Sequence, residues 1–159
     1  MRILYLEDDA KVRVRTVEWL LSQYGEACRI DAVSDILSFD ELFTYKEYDK
    51  YIMDMQINRT VDIPTKEYDE FWKGKGVELS FEDGYTDLLE GWEYFCTVMA
   101  KEKDNPFFPH LGKVALLTSF GETMRKKFQP LIEERHLPTV LLCKGAENWE
   151  KEIKDFLNQ

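Results

Sequence analysis

The sequence predicts an α/β fold with a doubly wound five-stranded parallel sheet. Three observations predict it. Strand-like apolar runs fall near residues 2–7, 28–33, 50–54, 113–118 and 138–143; amphipathic stretches of helical length lie between them; and polar groups close four of the runs. In such a sheet the carboxyl ends of the strands share one edge, so Glu7-Asp8-Asp9, Asp54, Thr118-Ser119 and Lys144 meet at one crevice.

The elements follow in order. Met1-Arg2-Ile3-Leu4-Tyr5-Leu6 is a strand that runs straight into acids, too short for a signal-peptide core or a membrane span. Val14, Val17, Leu21 and Tyr24 recur at three- and four-residue steps and mark the first helix, with Gly25 as its stop. Ser38 followed by Glu41 has capping-box spacing for the second helix, whose apolar members are Leu42 and Phe43. Tyr51-Ile52-Met53-Asp54 is the third strand. The third helix is expected to start near Leu88, with Trp92, Phe95 and Met99 as its apolar face. The fourth begins near Gly121 and is expected to kink or end at Pro130. The last places Trp149, Ile153, Phe156 and Leu157 opposite Glu150, Lys151 and Lys154.

The segment 58–87 breaks this alternation and reads as an insertion within a single domain spanning 1–159. Pro64, Gly74, Gly76 and Gly84 punctuate it, and Phe71, Trp72, Phe81 and Tyr85 favour packed structure over disorder. Beyond Leu157 only Asn158 and Gln159 remain, so output is expected to pass through a separate partner. The excess of 31 acids over 21 bases gives a net charge of −10, which repels phosphate backbones and anionic membranes and argues against direct nucleic-acid or membrane binding. Cys28, Cys96 and Cys143 lie too far apart for a disulfide framework or a zinc site and read as reduced, buried residues; the cytoplasm is the expected compartment. His110 and His136 have no partner at metal-ligand spacing and are assigned no chemistry. Trp19, Trp92 and Trp149 read as helix faces packed on the sheet.

Charge argues for the chemistry of the crevice. Two carboxylates about 4 Å apart at an effective dielectric near 20 repel by on the order of 4 kcal/mol, so something positive must sit among them. Lys144 supplies part of that charge, and a divalent cation held by oxygen ligands alone, a preference of magnesium, can supply the rest. An aspartate that accepts a phosphoryl group gains roughly −1.5 to −2 of charge, and a metal, an amine and a hydroxyl donor stabilise it. Taken singly, each motif has a plainer reading. Glu7-Asp8-Asp9 can be a helix N-cap, Asp54 a turn residue, Thr118-Ser119 another cap and Lys144 a solvated loop lysine. Their ordered placement at strand ends favours the shared site.

At these positions the sequence resembles a response-regulator receiver domain of two-component signalling. Ile3-Leu4-Tyr5-Leu6-Glu7-Asp8-Asp9 is similar to that family's first strand and acid pair, and Tyr48-Asp49-Lys50-Tyr51-Ile52-Met53-Asp54-Met55 to the approach to its phosphoacceptor. Val114-Ala115-Leu116-Leu117-Thr118-Ser119 resembles the hydroxyl strand, Val140-Leu141-Leu142-Cys143-Lys144 the lysine strand, and Glu90-Gly91-Trp92-Glu93 the start of the third helix. The resemblance implies a flavodoxin-like strand order 2-1-3-4-5 with helices on both faces. It also implies that Asp54 accepts phosphate from a phosphohistidine of a sensor histidine kinase or phosphotransfer protein. Asp8 would bind Mg2+ directly, Glu7 mainly through a water, and Asp54 and the Gln56 backbone carbonyl would complete the metal set. Thr118 would bond a phosphoryl oxygen, Lys144 would pair with the carboxylate and then the phosphoryl group, and the face around the fourth and fifth strands would rearrange to bind a downstream protein. Enzymic activity would be limited to self-phosphorylation from phosphodonors and slow self-dephosphorylation.

The chain departs from the family's pattern at several points. Leu141 stands where an aromatic residue is usual, Gly145 replaces the common proline after the lysine, and the large apolar Phe120 stands two residues past Thr118, which implies slow phosphate release. The insertion 58–87 lies where the family has a short connection. Two other readings remain. One is a degenerate receiver acting as a phosphorylation-independent binding module. The other is a phosphatase of the haloacid dehalogenase type, whose signature needs a second Asp where this chain has Gln56.

Overall fold

Strand residues that alternate sides yet are apolar on both can only be satisfied in a sheet covered on both faces. The computed structural model, which describes residues 1–57, 90–101, 106–119 and 121–159, has that sheet. Strands β1 (Arg2–Leu6), β2 (Arg29–Val33), β3 (Lys50–Asp54), β4 (Val114–Thr118) and β5 (Val140–Cys143) are all parallel, in the order β2-β1-β3-β4-β5. This is the expected flavodoxin-like order. All five residues of β3 and all five of β4 are buried.

Helices α1 (Ala10–Tyr24) and α5 (Trp149–Leu157) cover the face formed by Ile3, Tyr5, Ile52, Ala115, Leu117 and Leu142. Helices α2 (Ile36–Tyr45), α3 (Glu90–Tyr94) and α4 (Gly121–Glu134) lie with the opposite face, where Leu4, Leu6, Met53, Leu116 and Leu141 pack among Phe39, Trp92, Phe95 and Phe128. Trp92, Phe95 and Met99 are fully buried, as the helix-face reading expects. From Phe95 to Met99 the chain widens into a π-turn closed by Ala100 N–H donating to Phe95 O at 2.8 Å. Trp19 and Trp149 pack on each other with ring centroids 5.5 Å apart, tying α1 to α5. The three cysteines are buried and form no disulfide.

Three expectations need correction. In α1 the buried residues are Thr16 and Leu20, whereas Val14 and Leu21 are exposed. Arg13, whose guanidinium reaches back to the carbonyls that follow β1, shares a side with Thr16, Leu20 and Tyr24, while Val17 and Tyr24 remain half-buried against the core. In α2 the N-cap is Asp35: its Oδ1 accepts Ser38 N–H at 2.9 Å and its Oδ2 accepts Ser38 O–H at 3.0 Å. The helix therefore starts earlier than a Ser38 cap allows and buries Ile36 and Phe39, with Leu42 and Phe43 half-buried beside them. Finally, α4 does not end at Pro130 but runs on to Glu134. Burial of Phe128, Leu131 and Ile132 on the sheet outweighs the one hydrogen bond that the proline removes. The insertion 58–87, the expected helix start near Leu88 and Phe120 lie outside the described residues.

A buried cation sits at the amino end of β3. Lys50 donates from Nζ to Phe156 O in the last turn of α5 at 2.9 Å and lies 4.5 Å from the centre of the Phe156 ring. The carbonyl end of a helix attracts positive charge, so Lys50 caps α5 from below the sheet. Burial, with the Lys113 charge, pushes its ammonium below the usual lysine range. Among the described residues, no helix is long and apolar enough to cross a membrane.

The cap assignment is testable. Asp35→Ala is expected to cost about 1 kcal/mol in urea unfolding and Ser38→Ala clearly less, because only the first removes the acceptor of the helix's orphan N–H.

Candidate functional site

The sheet delivers its polar residues to one edge by continuing its own hydrogen bonding. Glu7 N–H donates to Val33 O at 3.0 Å, Met55 N–H to Leu117 O at 2.9 Å and Lys144 N–H to Thr118 O at 2.8 Å. These bonds hold the backbone of the site just past the ends of β1, β3 and β5. Glu7, Asp54 and Thr118 are buried there, and only 12% of the Lys144 side chain is exposed.

The acid run after β1 divides its work. Asp9 caps α1, its Oδ1 accepting Lys11 N–H at 2.8 Å and Val12 N–H at 3.0 Å, and these bonds hold its carboxyl below the usual range. Glu7 and Asp8 instead join Asp54: one carboxylate oxygen from each lies within 4.8 Å of the others. The cap reading thus applies to Asp9 alone. Arg13 Nη1 donates to Glu7 O at 2.6 Å and Asp8 O at 3.2 Å, which pins this turn without neutralising the two side-chain carboxylates directly.

Lys144 bridges the pair of buried acids. Its Nζ donates to Glu7 Oε2 at 2.5 Å and to Asp54 Oδ2 at 2.6 Å. Tyr5 O–H also donates to Glu7 Oε2, at 3.3 Å, and Asp9 N–H to Glu7 Oε1 at 3.3 Å. One ammonium cannot neutralise two buried carboxylates. Burial therefore pushes Asp54 up to about 7, with the Glu7 charge adding to it and Lys144 opposing. For Lys144, burial alone lowers the ammonium's pKa, but the two carboxylates outweigh it and hold the group charged, above the usual lysine range. Burial also raises the Tyr5 phenol, further helped by Glu7.

Gln56 joins the acids to β4. Its backbone N–H donates to Asp54 Oδ1 at 3.1 Å, while its side-chain Oε1 accepts Thr118 O–H at 3.2 Å and Ser119 N–H at 2.9 Å. Across the β3 end, Gly91 packs directly on the Asp54 backbone, where a Cβ would lie 1.9 Å from Asp54 O and 3.2 Å from Met55 Cα. Trp92 N–H donates to Met55 O at 3.4 Å in the same contact.

Sequence reasoning placed Glu7, Asp8, Asp54, Gln56, Thr118 and Lys144 at this edge, and the structure brings all six to it. It missed three contributors. Tyr5 was legible in principle, since a residue two before Glu7 in a strand shares its side. Arg13 gave no local signal, and the steric need for Gly91 emerges only once α3 meets β3. Leu141 is buried among the apolar residues beneath α4, and Gly145 has φ of 78°, a left-handed conformation suited to glycine.

The donors are oxygens only, which suits a hard divalent cation, so the cluster of Glu7, Asp8 and Asp54 could hold a metal ion. The chain matches no known protein family, no curated protein and no solved structure. Fold and site together define a flavodoxin-like α/β protein with a lysine-bridged acidic crevice at the carboxyl edge of its sheet.

Two outcomes follow. Because Asp54's native pKa is raised from 3.8 to about 7, its contribution favours folding below about pH 4 and is lost as pH rises through 7. Without metal, Asp54→Asn is expected to be more stable than wild type at pH 8 by on the order of 2 kcal/mol, a rise in melting temperature of roughly 4–8 °C, and the gap closes towards pH 4. Gly91→Ala, although alanine favours a helix by about 1 kcal/mol, is expected to destabilise by about 1–3 kcal/mol in thermal or urea unfolding, because the added methyl displaces backbone.

Proposed function

We propose that the chain is a magnesium-dependent phosphoryl-accepting switch of the receiver type, modified on Asp54 and acting through a protein partner. The observation that carries this reading is the Lys144 ammonium bonded to both Glu7 and Asp54 beside the Thr118 strand end. A buried carboxylate with one oxygen held by an amine and the other by a backbone N–H is fixed in orientation as a nucleophile.

The donor is a phosphohistidine of a sensor kinase or phosphotransfer protein. An Asp54 carboxylate oxygen forms the new O–P bond as the P–N bond breaks, and the departing imidazole nitrogen keeps the electron pair and takes a proton from solvent. Glu7, Asp8, Asp54 and the Gln56 backbone carbonyl would hold Mg2+, which would add positive charge beside the carboxylates and the incoming phosphoryl oxygens. Lys144 then follows the charge from the carboxylate to the phosphoryl group, and Thr118 donates to a phosphoryl oxygen. The phosphatase reading is weaker: position 56 carries an amide, which has no acid proton to hand to a leaving group, and its oxygen is committed to β4.

The test is intact mass and Trp fluorescence after incubation with Mg2+ and a small phosphodonor or beryllofluoride. One phosphoryl group per chain is expected, lost in Asp54→Asn and in EDTA. No response with any donor returns the protein to the binding-module reading, and rapid continuous hydrolysis of a phosphate ester returns it to the phosphatase.

A further inference from the structure

Gln56 stands between the two halves of the crevice, and the reading of the site above gives its side chain no role. Ser119 N–H can only donate, so the Gln56 atom 2.9 Å from it must be the carbonyl oxygen Oε1. The same oxygen accepts Thr118 O–H at 3.2 Å. A threonine hydroxyl has one proton. While it is given to Gln56 it is not available to an oxygen on Asp54, and the Ser119 N–H is engaged in the same way.

We propose that the Gln56 side chain is a resting-state latch: a positioning residue that holds Thr118 and Ser119 away from the phosphoacceptor and is released when a phosphoryl group arrives. This rests on the phosphoryl-acceptor reading and deepens it. The exchange is favourable because an anionic phosphoryl oxygen is a stronger acceptor than a neutral amide carbonyl. It also has a mechanical consequence. The Gln56 backbone N–H is tied to Asp54 Oδ1 while its side chain is tied to β4, so opening the latch releases the Thr118 hydroxyl and the Ser119 amide without requiring the chain at residue 56 to move. The backbone carbonyl offered to magnesium is untouched by changes to the side chain.

The test uses the full 15N-labelled chain. Gln56→Met keeps the side-chain length and removes the acceptor; Gln56→Glu keeps an acceptor at the same reach. In EDTA, the Ser119 amide is expected to exchange with solvent about tenfold faster in Gln56→Met than in wild type, with Gln56→Glu restoring protection. With Mg2+ and acetyl phosphate, Asp54 Oδ displaces acetate from phosphorus, and Gln56→Met is expected to be labelled about fivefold faster than wild type, with a magnesium midpoint within about twofold. Equal Ser119 exchange in wild type and Gln56→Met overturns the latch. Equal labelling rates despite a released Ser119 amide overturn its control of the switch, and a magnesium midpoint that shifts in step with labelling assigns the effect to the metal instead. If wild type takes up no phosphoryl group, the receiver reading falls, while Ser119 exchange still decides the latch on its own.

Discussion

The Lys144 ammonium is the interaction on which the rest of the crevice depends. It is the cation shared by two carboxylates withdrawn from water, Glu7 and Asp54, with Asp8 beside them. Remove it and the carboxyl edge of the sheet carries uncompensated buried charge, the costliest thing a protein interior can hold. Its presence also explains the strand order. With β1 beside β3, Glu7 stands next to Asp54; with β4 and β5 following, the hydroxyl and the amine approach from the other side. The cluster of Glu7, Asp8 and Asp54 offers oxygen ligands from which a cation could be held.

Much of this was legible because the signals were local and repeated. The strands read as short, mostly apolar runs, and four of them end in polar residues whose order along the chain favours a common space over the separate cap and turn readings. The apolar faces of α3 and α5 also read correctly, since Trp92, Phe95 and Met99, and Ile153, Phe156 and Leu157, recur with helical spacing and are all buried.

What was not legible depended on partners distant in sequence. Val14 and Leu21 are apolar yet exposed while the polar Thr16 is buried beside Leu20, so apolar character alone does not tell which side of α1 faces inward. Ser38 is a good cap by type, but Asp35 is equally good and lies where the chain leaves β2. Pro130 is a helix breaker by propensity, overridden by its buried neighbours. The Gln56 amide could be noted from sequence as a missing acid, yet its bonds to Thr118 and Ser119 span the gap between two strands and have no sequence signature.

The third strand grips the last βα unit at both of its ends. At the carboxyl edge Asp54 holds Lys144; at the amino edge Lys50 holds the Phe156 carbonyl. These two lysine contacts act on β5 and α5 from opposite poles of one rigid rod. If the upper contact loosens while the lower persists, α5 keeps its anchor on β3 and β5 its ladder with β4, so the unit cannot slide bodily along the sheet. Displacement is then greatest at the crevice rim and least beneath the sheet.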